Sequence, residues 1–102
     1  MSKLDIKTEK NGAELLIALS GRLDTNTSPD LEEVVESSLD GVEKLIFDMA
    51  ELQYISSAGL RVLLTALQTM EDQGDMVLRN VGDEIMDVFE ITGFIDDLTI
   101  ED

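Results

Sequence analysis

Histidine and cysteine are both absent from the 102 residues, and those two gaps remove much familiar chemistry. Without histidine there is no Ser-His-Asp triad, no histidine general base and no histidine-containing metal site. Without cysteine there are no disulfides and no thiolate metal sites. Basic residues are scarce: seven Lys and Arg stand against 23 Asp and Glu, a net charge of −16. A field of that sign repels nucleic-acid phosphates and anionic membrane surfaces, and it speeds encounter with a basic partner. A charged, soluble exterior accounts for the same excess with no partner at all. No apolar run approaches the roughly 18–20 residues needed to cross a bilayer. Gly-rich phosphate loops, metal-spaced carboxylates and aromatics set out for nucleic acid are missing too. The opening Met1–Lys7 alternates charge with apolar residues and lacks the apolar stretch of a signal peptide. The expectation is a cytoplasmic protein with no cofactor, no direct nucleic-acid contact and no membrane insertion.

What is present is a hydrophobic fraction of 43%, enough at this length for one core but not two. Residues 1–102 are therefore expected to form a single domain, and so acidic a domain is expected to be a monomer. Leu4, Ile6 and Thr8 alternate with Asp5, Lys7 and Glu9, a period-2 pattern that suits a half-buried strand. Asn11-Gly12 supplies a hairpin signal, and Glu14–Leu19 is a second strand, ended by Gly21. A polar connection follows. Thr27 or Ser28 can cap a helix there, with Pro29 in its first turn, Leu31, Val34, Val35 and Leu39 on its apolar stripe, and Gly41 as C-cap. Val42–Asp48 reads as a third strand, followed by a polar connection. After Ser57, Leu60, Leu63, Leu64 and Leu67 mark a second amphipathic helix, running to about Asp72. Met76–Val81 is a fourth strand. Gly82-Asp83 opens a third helix with Ile85, Val88 and Phe89 inward, Met86 off that stripe and exposed, and a stop at Thr92-Gly93. Leu98–Ile100 adds a short last strand, with Glu101-Asp102 as a solvated end. The order is β-β-α-β-α-β-α-(β): an α/β fold, with a mixed sheet of four to five strands packed against amphipathic helices.

The best candidate site is Ser56-Ser57, two hydroxyls where the second helix begins. One of them can simply cap the helix. The other reading is phosphorylation, since a helix N-terminus accommodates an added dianion. A catalytic serine is excluded for want of a base, and Ser57-Ala58-Gly59 is not a nucleophile elbow. Asp24 and Asn26 lie in the loop after the second strand. In a parallel α/β arrangement that loop meets the one after the third strand, bringing Asp24 and Asn26 towards Ser57. The alternative for Asp24 is an Asx-turn. Gly59 is read as the point where helix and sheet approach closely, the alternative being a tolerated helix glycine.

Phe47-Asp48 and Leu52–Leu64, with its run Ile55-Ser56-Ser57-Ala58-Gly59-Leu60-Arg61, resemble the signature of STAS domains, specifically bacterial anti-sigma factor antagonists. The upstream Gly21-Arg22-Leu23-Asp24 is similar to the family's "G-x-L-D" segment, and the resemblance extends over the whole chain. It implies a STAS-like single domain and no enzymatic activity. In the family motif, Asp-Ser-Ser/Thr-Gly-Leu, the serine after the aspartate is phosphorylated by an anti-sigma factor acting as a serine kinase. By register the acceptor falls on Ser57, and the family aspartate falls on Ser56, where this chain departs from the pattern. The resemblance further implies a partner-facing surface of Asp24, Asn26, Ser56, Ser57, Ala58, Gly59 and Arg61. The unphosphorylated domain would bind the kinase and a PP2C-type phosphatase would reset it. The family also implies an alternative, a non-phosphorylated STAS subunit of a lipid-transport ABC system, with Ser57 a structural cap.

Overall fold

A computed structural model of the chain describes residues 3–101. Met1, Ser2 and Asp102 lie outside the described residues, and with them the first two positions of the charged opening and the last of the acidic end.

The chain runs β1 (Leu4–Asn11), β2 (Glu14–Leu23), α1 (Ser28–Ser38), β3 (Lys44–Ile55), α2 (Ser57–Glu71), β4 (Asp75–Arg79), α3 (Asp83–Thr92), a 3-10 turn (Phe94–Asp96) and β5 (Ile100–Glu101). β1 and β2 form the expected hairpin, with Asn11 opposite Glu14 and only Gly12 and Ala13 between them. Gly12 has φ +61° and Ala13 does not take a positive φ, the pattern of a type II′ turn. The turn thus sits one residue beyond Asn11-Gly12. The other three strand pairs are parallel, and the strands stand in chain order, β1-β2-β3-β4-β5. Three right-handed crossovers stepping the same way put all three helices on one face of the sheet.

That face holds the core. Leu15, Ile17 and Leu19 of β2, Leu45, Phe47 and Met49 of β3, and Met76 and Leu78 of β4 alternate towards it. Against them pack Leu31 and Val35 of α1, Leu60, Leu63, Ala66 and Met70 of α2, and Ile85 and Phe89 of α3. Each such side chain other than Ala66 stabilises the fold by about 1.5–3 kcal/mol on transfer from water. The remaining residues of these strands point the other way: Ile46 and Val77 are buried there, and Leu16, Ala18 and Ser20 half-buried.

The structure corrects several boundaries. β2 does not end at Gly21 but continues to Leu23. Gly21 keeps φ +102°, and an added Cβ would collide with the Lys3 carbonyl oxygen, which accepts from the Arg22 amide at 2.9 Å. The glycine permits a close approach of the chain just before β1 inside the strand rather than a stop. β3 likewise runs through Met49–Tyr54, expected as a polar connection, to Ile55. α1 ends at Ser38 with Leu39, not Gly41, as its C-cap. Gly41 takes its positive φ, +77°, in the loop beyond. Met86 is half-buried against the core rather than exposed. Glu101 is no free end: it pairs in β5 with Arg79, whose guanidinium donates to its Oε1 at 2.9 Å. Ile85, Val88 and Phe89 do face inward, and α3 closes on Gly93 at φ +82°.

Candidate functional site

The site sits where β2 and β3 end side by side. Leu23 pairs with Ile55, and one residue later the Ser56 amide donates to the Leu23 carbonyl at 2.9 Å. This last rung ties the start of α2 to the start of the β2–α1 loop.

Ser56 takes the N-cap position of α2 with extended backbone, and its Oγ accepts from the Gly59 amide at 3.3 Å. Capping therefore belongs to Ser56. Ser57, the first residue of the helix, is exposed, and its hydroxyl makes no hydrogen bond among the described residues. Gly59 is buried. An added Cβ would lie 2.7 Å from Leu23 Cγ and 3.0 Å from Ile55 Cγ1. Gly59 is thus the expected close approach of helix to sheet, and it works beneath the surface, not on it.

The β2–α1 loop is wound around Asp24. Its Oδ1 accepts from the amides of Asn26 and Thr27, each at 3.0 Å, so the expected Asx-turn forms. Its backbone carbonyl accepts from the Ser28 amide at 2.8 Å and the Ser28 hydroxyl at 2.6 Å. Thr27 is buried at the N-cap but makes no side-chain cap bond. Its hydroxyl instead accepts from the Asp24 amide at 2.9 Å and donates to the Arg22 carbonyl at 2.8 Å. Neither Thr27 nor Ser28 therefore caps α1 as expected; Asp24 organises the turn from outside the helix. Partial desolvation raises the Asp24 carboxyl. The Thr27 and Asn26 amides, the Thr27 hydroxyl and the Arg22 charge together outweigh it and hold the group below the ordinary aspartate value.

Asp24 and Asn26 share one end of the sheet with Ser57, as expected, but no hydrogen bond joins them to it. Between α1 and α2 lies a groove of about 250 Å³, lined by Thr25, Ser28, Pro29 and Glu32 on one side and Ala58, Arg61, Val62 and Thr65 on the other. Ala58 is half-buried in it and Arg61 is exposed. Residue reasoning missed Tyr54 and its partner. Tyr54 is opposite Arg22 across β2 and β3, 40% exposed, with the guanidinium 4.3 Å from its ring centroid. The signal was the chain's one tyrosine, but its placement depended on β3 running past Asp48. Arg22 also lies 3.9 Å from Asp24 Oδ2.

The surrounding charge is one-sided. α1 carries Asp30, Glu32, Glu33 and Glu36 and α3 carries Asp83, Glu84, Asp87 and Glu90, with no Lys or Arg on either. Arg61 is the one cation on the three helices. No group of three metal-ligating side chains gathers among the described residues. No helix of the described residues is long and apolar enough to cross a membrane.

The chain is similar to several known proteins. BtrV of Bordetella bronchiseptica, provisionally named an anti-sigma factor antagonist, is 35% identical over 94 residues, covering 90% of this chain and 81% of BtrV. The anti-sigma-B factor antagonist of Listeria monocytogenes is 31% identical over 101 residues, covering 96% and 87% of the two chains. Among solved structures, the Bacillus cell fate determinant SpoIIAA in its phosphorylated form superposes with a TM-score of 0.75 at 19% identity, over 96% of this chain and 92% of that one. These relatives are named for an antagonist role and not for an enzymatic activity. The model of the STAS domain matches residues 5–102, and the chain belongs to the STAS domain family.

Proposed function

We propose that this protein is a cytoplasmic anti-sigma factor antagonist that works by partner exchange. Unphosphorylated, it binds a serine-kinase-type anti-sigma factor and so frees the sigma factor. The kinase transfers the γ-phosphoryl group of ATP to Ser57 Oγ, ADP leaves and the hydroxyl proton is lost, and the new charge breaks the complex. A PP2C-type phosphatase hydrolyses the ester and returns the hydroxyl. The domain itself catalyses neither step.

The observation that carries the reading is the division of labour between the two serines: Ser56 is occupied as the cap, while Ser57 is exposed with an uncommitted hydroxyl. Asp24, Asn26, Ser56, Ala58 and Arg61 surround it as the partner-facing surface, with Gly59 setting its shape from below. The antagonist names of the two relatives support the role, and the phosphorylated form of SpoIIAA supports the chemistry. A phosphoserine carries about −1.5 to −2 charges at neutral pH. Met by no cation of the partner, it need cost the complex only about 2.7 kcal/mol to weaken binding a hundredfold.

The test is incubation with the cognate anti-sigma kinase and ATP, followed by mass spectrometry and a binding assay. One phosphate on Ser57, tight binding by Ser57→Ala and lost binding by Ser57→Asp are expected. Absence of phosphate together with undiminished binding by Ser57→Asp overturns the proposal. Co-purification with a transport ATPase, indifferent to Ser57→Asp, would put the chain with the ABC-system subunits instead.

A further inference from the structure

We propose that the phosphate on Ser57 is gripped within the chain by Arg61, so that phosphorylation also withdraws the helices' one cation from the partner-facing surface. This rests on Ser57 being the acceptor and adds a mechanism to that reading.

Ser57 and Arg61 are i and i+4 on α2 and both are exposed, so their side chains rise from one face of the helix with Cβ atoms about 5–6 Å apart. The other two described arginines are committed, Arg22 beside Asp24 and Arg79 on Glu101. Arg61 takes part in no ion pair among the described residues. α2 has no acidic residue in its first turn to compete for it. Glu32 lines the same groove from α1 without forming an ion pair with Arg61, and Asp24 is occupied by its own loop and Arg22. The amides of Ser57 and Ala58 meet no acceptor among the described residues, as expected of a first helical turn. A phosphoryl group on Ser57 Oγ therefore enters a positive corner: free N–H donors and the dipole below it, and a guanidinium one turn on, whose fork matches phosphate oxygens.

The consequence is a double change. Phosphorylation adds negative charge at Ser57 and at the same time neutralises Arg61, the cation a partner carboxylate would have met. A helical layer that was acidic with one positive point becomes acidic throughout.

The experiment uses the full chain with phosphoserine at position 57, installed by genetic encoding so that it needs no kinase. The phosphate is titrated by phosphorus NMR in the wild type and in Arg61→Gln and Arg61→Lys. The wild-type midpoint should lie about 0.15–0.4 pH unit below that of Arg61→Gln, the size expected of one i,i+4 ion pair. Arg61→Lys should retain most of the difference, and 1 M salt should erase it. Coincident midpoints for wild type and Arg61→Gln overturn the proposal. That result is independent of the kinase assay: a kinase that ignores Ser57 defeats the proposed function, whereas coincident midpoints defeat only the grip of Arg61.

Discussion

The two adjacent serines should separate cleanly in a stability measurement. Ser56 Oγ accepts from the Gly59 amide at 3.3 Å, a long bond at the N-cap of a 15-residue helix. Loss of a serine cap costs about 0.5–2 kcal/mol, and the length of this bond places Ser56→Ala in the lower half, about 0.5–1 kcal/mol. For a domain of this size that corresponds to a fall in Tm of roughly 2–8 °C. Ser57→Ala removes a hydroxyl with no hydrogen bond among the described residues, and alanine is the best helix former, so its change should stay within about 0.5 kcal/mol. Ser56→Asp restores the family residue at a position where aspartate caps as well as serine and adds a charge the helix dipole favours, about 0.3–1 kcal/mol. It should be neutral or stabilising. Urea unfolding of the three variants at neutral pH, with unchanged slopes, gives the comparison directly. A Ser57→Ala cost at or above that of Ser56→Ala would refute the assignment of the cap to Ser56.

Two further outcomes follow from the same corner. Gly59→Ala gains about 1 kcal/mol of helix propensity but forces Cβ against Leu23 and Ile55, a strain of about 1–3 kcal/mol. Net destabilisation of about 0–2 kcal/mol is expected in the urea midpoint, and a clear rise in stability would show that helix and sheet do not need the glycine. Asp24 should titrate below the ordinary aspartate value by NMR. Because its folded value is depressed, its contribution is present above the unfolded pKa and disappears as pH falls through the folded one. Asp24→Asn, which keeps an oxygen for the Asn26 and Thr27 amides, should flatten stability across that acid window. An unchanged acid limb would contradict the role given to the carboxylate.

Much of this architecture was readable because local patterns and tertiary packing agree. The apolar stripes of α1, α2 and α3 were visible from spacing alone, since each helix buries one face on one side of the sheet. Two of the failures share a cause in β3. Past Asp48 its buried residues are Met49, Leu52 and Ile55, a spacing of three that resembles no strand. The register explains it: Ala18 pairs with Asp48 but Ser20 with Glu51, and Gly21 pairs with Leu52 but Arg22 with Tyr54. At each step β3 spends one residue more than β2. Two bulges thus reset the alternation twice and disguise a strand as a loop. Tyr54 was missed for the same reason. Gly21 misled differently, because a glycine marks turns far more often than a close approach of two paired strands. The two serines could not be told apart from composition, as either can cap. Only the extended backbone of Ser56 decides it, and that depends on where β3 ends.

The strand order has a consequence for how the molecule comes into being. With β1 to β5 laid down in chain order, every new strand finds its neighbour already in place, and no gap must be held open for a later segment. Such a topology suits growth from the N-terminal end, the direction in which a ribosome delivers the chain. The hairpin is the template, and each helix–strand unit docks on the one before. Every residue of the Ser57 corner, from Arg22 to Thr65, is made before β4 emerges. The last third of the chain arrives afterwards to widen the sheet and close the core with Ile85 and Phe89.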